Sequence, residues 1–214
     1  MILSPLNKRR FKNFKSNKRG WYSFWIFFIL FIVSIFADFI ANDKPLLIKF
    51  EQNYYFPILY NYPETIFGGD FETEADYRDP YVKNLITNKG WFIMPIIPYT
   101  YNTIIRDLEM PVPSAPSKKN WLGTDDLARD VLARLIYGFR ISILFGFALT
   151  FFSMLIGVSA GAIQGYFGGK IDLFFQRFIE IWSAIPTLYV LIILASIVQP
   201  NFWWLLIILL LFSW

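Results

Sequence analysis

The chain has no cysteine and no histidine. Without cysteine there is no disulfide and no thiolate metal site. Without histidine the usual general base, the commonest metal ligand and the physiological pH switch are all missing. Charge is scarce too: Asp, Glu, Lys and Arg make up 17% of 214 residues, against about 25% in an average soluble domain. No G-x-x-x-x-G-K-[ST] loop occurs, so nucleotide binding by the usual route is excluded. No catalytic residue, cofactor site or metal site is expected. What the chain does have is apolar surface: 56% of its residues are hydrophobic and 21% aromatic. That surplus points to a membrane.

Seven of the first 20 residues are Lys or Arg and none is acidic (Lys8, Arg9, Arg10, Lys12, Lys15, Lys18, Arg19). Such an arm could bind nucleic acid. The next residues argue against that reading, and no nucleic-acid partner is expected. "WYSFWIFFILFIVSIFADFIA", 21–41, carries one charge, Asp38, in 21 residues. As a helix it rises about 30 Å, the thickness of a bilayer's hydrocarbon core. The run is longer than a signal-peptide core and lacks a clean small-residue cleavage site. Residues 1–20 are therefore expected to be a cytoplasmic basic tail and 21–41 the first span. Trp21, Tyr22 and Trp25 suit the aromatic belt at its start.

Residues 42–140 hold 13 acids and 11 bases, so the segment is nearly neutral. If the first span leaves the cytoplasm, this segment lies outside, because long loops cross largely regardless of charge. Residues 42–120 are expected to be a long periplasmic loop. Short alternating pieces such as "LLIKF" read as strand or extended loop. "PVPSAPSKKN", 111–120, reads as a linker.

"WLGTDDLARDVLARLIYGFR", 121–140, reads as an amphipathic periplasmic helix. Gly123 permits a sharp approach, Thr124 is a good N-cap, and Asp125 and Asp126 fall in the first turn, where the dipole favours negative charge. Leu127, Val131, Leu132 and Leu135 would share one face. Arg129, Asp130, Ala133 and Tyr137 would share the other, turned to water or a partner. Arg140 would mark the interface.

From Ile141 to Gly169 there is no Asp, Glu, Lys or Arg. A second span is expected over about 141–165. Small residues recur along it every three or four positions, and Gly157, Gly161 and Gly165 are spaced by four. That ridge lets another helix approach closely. Lys170 and Arg177 then sit in a short connection, which suits a return to the cytoplasm. A third span is expected over about 179–198. Arg177 and Glu180, three apart, can pair on one helix face. Pro186 removes a hydrogen bond and should kink that span. "QPN" should turn the chain outside, and 201–214 begins a fourth span. Those 14 residues rise about 21 Å as helix, short of the roughly 30 Å core. The chain is therefore expected to be the first part of a longer polypeptide.

Two stretches, "WLGTDDLARDVLARLIYGFRISILFG" and "GYFGGKIDLFFQRFIEIWSAIPTLY", resemble the second permease subunit of peptide ABC importers, the oligopeptide/dipeptide/nickel permease family. "NDKPLL", "YFPILYNYPETIFGGDF", "ADYRDP", "GWFIMPIIPY" and "IVQPNFWWLL" resemble its Yej-type branch, which is associated with oligopeptide and microcin C import. The resemblance covers essentially 1–214. It implies an all-α membrane protein with the type-1 ABC importer transmembrane fold, incomplete here, occupying 141–214 and cut before the coupling loop. It implies a multi-pass protein of the bacterial inner membrane with its N-terminus in the cytoplasm. The subunit would form part of a peptide pathway without being an enzyme. Its partners would be a second permease subunit, cytoplasmic ATPase subunits that hydrolyse ATP, a periplasmic peptide-binding protein, the peptide substrate and the lipid bilayer. Gly123, Thr124, Asp126, Arg129 and Asp130 would form the family's periplasmic motif. The family usually has Gly where this chain has Ala128; read as helix, that change is harmless. Arg177 and Glu180 map onto the family's R-x-x-[DE], and with Pro186 they are gating or pathway candidates. A membrane-anchored sensor or scaffold subunit with an external domain is the alternative. It would need a signalling domain, for which 1–20 and one short loop are the available cytoplasmic parts.

Overall fold

The computed structural model describes residues 4–108, 110–199 and 201–214. Residues 1–3 of the basic tail and Pro200 of the expected "QPN" turn lie outside the described residues. Two compact units divide within a long helix, after Arg140.

The first unit opens with α1 (Pro5–Ser16), whose Ser4 cap accepts from the Asn7 amide at 3.4 Å and whose first residue is proline. A proline there gives up an amide hydrogen that would have no helical partner. Asn17 alone separates α1 from α2 (Lys18–Ile35), and its side chain caps the new helix at Gly20 N. The apolar side chains of α2 are mostly exposed. The short α3 (Ala37–Ile40) follows.

The next segment, expected as a long loop over 42–120, carries its own folded core. Strands β1 (Leu47–Phe50), β2 (Asn53–Tyr55) and β3 (Gly90–Ile93) form an antiparallel sheet in the order β2-β1-β3. The "LLIKF" alternation turns Ile48 and Phe50 into the core, as a period of two requires. Gly90 sits opposite Phe50, where a Cβ would come within 1.8 Å of the Lys49 carbonyl oxygen. Helix α4 (Pro80–Lys89) is capped by Asp79, which accepts from Tyr81 N at 2.8 Å. It lays Val82 and Ile86, one turn apart, against Ile48, Phe50, Phe67 and Tyr77. Polar composition hid this core because its aromatic residues are scattered among turn residues.

A second core, Ala37, Ala41, Ile97, Ala133 and Tyr137, joins α3, the strand-like segment at Ile97 and the start of α5 (Val131–Phe167). Ile97 bonds Ile40 and Asn42 through the backbone, at 2.9 and 3.0 Å. The chain is therefore mostly helical, but the all-α expectation gives way to a small α/β insert.

The second unit holds the rest of α5, then α6 (Gly169–Ser183), α7 (Thr187–Ile197) and α8 (Phe202–Ser213). Gly168 and Gly169, at φ +56° and +54°, make the turn into α6. The expected third span is two helices bent by 65°. Pro186 sits at the N-cap of α7, so it marks a break rather than a kink inside one helix. Trp182 stacks on Phe212 at 5.4 Å and donates to Leu211 O at 2.6 Å. Among the described residues α2 and α5 are long and apolar enough to cross a membrane, with a third crossing if α6 and α7 count as one.

Candidate functional site

The segment 114–130 is an irregular, hydrogen-bonded loop, so of the amphipathic helix expected over 121–140 only the part from Val131 on is helical. Thr124 pairs with Asp130 in an antiparallel bridge, and Val131 N donates to Gly123 O at 3.1 Å. Helix α5 starts at Val131, seven residues after Thr124. The reason is a competition between caps. Asp130 accepts from Ala133 N at 2.8 Å and so caps α5, while its other oxygen accepts from Asn120 Nδ2 at 2.8 Å. Asp125 accepts from Leu127 N at 3.0 Å and Arg129 N at 2.8 Å, closing a loop that leaves no room for a helical turn.

Gly123 (φ +75°) is held against Ser114; a Cβ would lie 2.2 Å from the Ser114 carbonyl oxygen. Thr124 is buried and its hydroxyl accepts from Ser114 N at 3.0 Å. Arg129 pairs with Asp125 at 2.7 Å, and Arg134 joins the same carboxylate. Burial pulls the Asp125 carboxyl upward, but bonds from the Arg129 side chain and the Arg129 and Leu127 amides outweigh it and hold it at about 2. Asp130 is 1% exposed. Of the motif's expected outward-facing charges, only Asp126 is exposed.

The predicted faces of 127–137 are also reversed. Ala133 and Tyr137 are buried, whereas Leu127 and Leu135 are more than half exposed. Ala128 is not helical: its φ is +58°. The family's glycine thus answers a left-handed backbone, which costs an L-residue roughly 1–2 kcal/mol.

Sequence reasoning missed a second cluster. Arg140 Nη1 donates to Asp38 Oδ2 at 2.8 Å. The Tyr137 hydroxyl lies 2.8 Å from both Asp38 Oδ1 and Ala41 O. The signal was available: one acid in an apolar run needs a cation or hydroxyl partner.

In the second unit, Arg177 and Glu180 pair at 2.6 Å on α6, both well exposed. The glycine ridge is mostly unoccupied. A Cβ at Gly157 would meet Trp214 C at 3.5 Å, while Gly161 and Gly165 have nothing within 4 Å. An open apolar cleft of about 310 Å³ lies between α7 and α8, walled by Leu188, Leu191, Ala195, Trp204 and Ile208.

Residues 4–63 match the N-terminal TM domain of oligopeptide transport permease C, and residues 153–214 match the binding-protein-dependent transport system inner membrane component. Over 212 residues, 99% of this chain, 52% are identical to the inner membrane ABC transporter permease protein YejE of Escherichia coli (strain K12), of which 62% is covered. The chain is thus similar to permease subunits of peptide ABC transporters at both ends and along its length. A peptidoglycan transport system permease protein YejE of Agrobacterium fabrum (strain C58) is 49% identical over 99% of this chain and 61% of its own length. A dipeptide transport system permease protein DppC of Haemophilus influenzae is 48% identical over 80 residues, 37% of this chain and 27% of its own. The chain thus spans about three fifths of the two YejE relatives. The match to an inner membrane component and the apolar helices support an inner-membrane protein.

Proposed function

We propose that the chain is part of a permease subunit of an ABC importer that carries peptides across the bacterial inner membrane, with the N-terminus in the cytoplasm. The observation that carries this is the 52% identity over an alignment that spans 99% of the chain. The A. fabrum relative is named for peptidoglycan transport, so cell-wall fragments bearing peptides fall within the proposed substrate class, as do microcin C-like modified peptides. The partners are a second permease subunit, a pair of cytoplasmic ATPase subunits and a periplasmic peptide-binding protein.

On this reading the insert over 42–130 lies in the periplasm, and its exposed Tyr54, Tyr60, Phe71 and Trp121 suit contact with the binding protein. Gly161 and Gly165, open in this chain, suit close approach by a helix of the second permease. The break at Pro186 and the exposed Arg177–Glu180 pair are the gating candidates. ATP hydrolysis belongs to the ATPase subunits.

Deleting the gene and measuring uptake of labelled oligopeptides and of labelled peptidoglycan fragments tests the reading. Uptake of one or both is expected to fall and to return on complementation. Unchanged uptake of both, in a strain without another peptide importer, overturns it.

A further inference from the structure

The basic arm is not an extended tail but a helix with two unlike faces. In α1, Lys8, Lys12 and Lys15 stand at i, i+4 and i+7 and line one side, with Arg9 beside them. Leu6 and Phe14 lie away from that stripe, with Phe11 at its border beside Lys15, and Leu6 and Phe11 are more than half exposed. Arg10 rises from the Leu6–Phe14 side, and its aliphatic stem suits lying along the rings with its head group in the polar layer. No acid occurs in residues 1–20, and among the described residues no cation of α1 has an ion-pair partner. An apolar face and an unneutralised basic face on one short helix need an amphipathic, anionic partner.

The position of α1 supplies the second argument. In a straight helix, residues 11 and 21 would be about 15 Å apart along the axis. The Phe11 and Trp21 rings are instead 5.9 Å apart, and Phe14 reaches Trp21 at 5.7 Å and Phe24 at 5.8 Å. The chain therefore turns at Asn17 and lays α1 back against the first turns of α2. Trp21, Tyr22 and Trp25 mark that end of the apolar helix as the level of the lipid head groups. Lys15 sits over the Trp21 ring at 6.0 Å.

We propose that α1 is an interfacial helix that binds anionic phospholipid head groups, its Leu6–Phe14 side sunk toward the acyl chains and its Lys8–Lys12–Lys15 side on the phosphates. Amphipathic helices of this kind bind by apolar burial together with attraction to anionic lipid. The helix thereby gives the protein a lipid requirement of its own, whatever solute the assembly carries.

No cysteine occurs in these 214 residues, so none among them competes with an introduced thiol. The full-length protein with Asn7→Cys, which places a thiol on the apolar side, carries an environment-sensitive fluorophore. It is reconstituted in vesicles of phosphatidylcholine alone and of phosphatidylcholine with about 30% phosphatidylglycerol, a surface of anionic charge. Emission is expected to shift further to the blue in the anionic vesicles. Lys8→Gln/Lys12→Gln/Lys15→Gln should remove the difference between the two lipids. If that variant fails to assemble, about 0.5 M NaCl on the unsubstituted protein serves the same purpose, because screening shortens the reach of the charges. Equal emission in the two lipids overturns the proposal, as does a difference that survives both the substitutions and the salt. Loss of the difference on adding inorganic phosphate assigns the helix to a free anion instead. A blue shift produced in neutral vesicles by added RNA, and not by phosphatidylglycerol, assigns it to nucleic acid.

Discussion

Arg140 and Asp38, 102 residues apart in the chain, are joined by a 2.8 Å charge-assisted hydrogen bond. Asp38 is the one charge in the first apolar run, and Arg140 is the last cation before 29 residues without any. Each answers the other's need for a partner at the edge of lipid. The Tyr137 ring, 4.9 Å from the Arg140 guanidinium, packs against the pair. Removing the acid with Asp38→Ala leaves Arg140 without its carboxylate, while Tyr137 keeps the Ala41 carbonyl. A loss of about 1–3 kcal/mol is expected, read as a lower midpoint of thermal unfolding in detergent. Arg140→Lys, with Asp38 intact, should lose less, because the charge remains and only the planar fork is gone.

Asp130 and Asp126, four residues apart, should respond in opposite ways. Asp130→Ala removes a buried cap and leaves the Asn120 amide unpaired. The expected cost is about 2–3 kcal/mol, visible in the same unfolding measurement. Asp126→Ala should stay within about 0.5 kcal/mol of the unsubstituted protein. Any effect of Asp126→Ala on peptide uptake would then report a contact with another protein.

Ala128 offers a stabilising substitution. Its φ of +58° is one that glycine adopts freely. Ala128→Gly should stabilise by about 1 kcal/mol, and Ala128→Val should destabilise by more than that gain. A helical position would give the reverse order for Gly and Ala, so the sign of the Gly variant decides between the two backbones.

Asp125 should make its contribution depend on acidity. Its folded value, about 2, lies below the ordinary carboxylate value near 3.9. A depressed value means stability that is complete above about pH 4 and is lost as the pH falls through about 2. Asp125→Asn should lower stability at neutral pH and flatten the fall between pH 4 and 2. A chemical-denaturation series over that range in detergent measures both.

The glycine ridge separates packing within the chain from packing between subunits. Gly161→Leu and Gly165→Leu meet open space here, so thermal unfolding of the isolated chain should be unchanged. Copurification with the second permease subunit should fall sharply, because a bulky side chain on such a ridge keeps a facing helix away. Retained copurification would show that the partner sits elsewhere.

The apolar runs made the helices α2 and α5 legible, because long apolar helices are distinguished by composition alone. The strand at Leu47–Phe50 was legible for a related reason: its side chains alternate between core and solvent. The start of α5 was not. Thr124 followed by two aspartates imitates a capped first turn, and nothing local reveals that Asp125 folds back on Arg129 N while Asp130 takes over the cap. The glycine that the family resemblance implies at the position of Ala128 was the better clue, since glycine in mid-helix is costly and glycine at positive φ is not. The faces of 127–137 were misassigned because the pattern was scored against water. Beside a membrane, Leu127 and Leu135 can stay outside while Tyr137 goes inside to meet Asp38. Contacts across a hundred residues, such as that one, leave no trace in local periodicity.

Ala41 and Ala133 touch within one small cluster, although 91 residues intervene. The polypeptide departs and comes home at a single address. The spacing of the neighbouring helices is therefore independent of how far the chain wanders in between. Sequence can be added, trimmed or exchanged on either side of Ile97, provided Ala41, Ile97 and Ala133 still meet in that cluster.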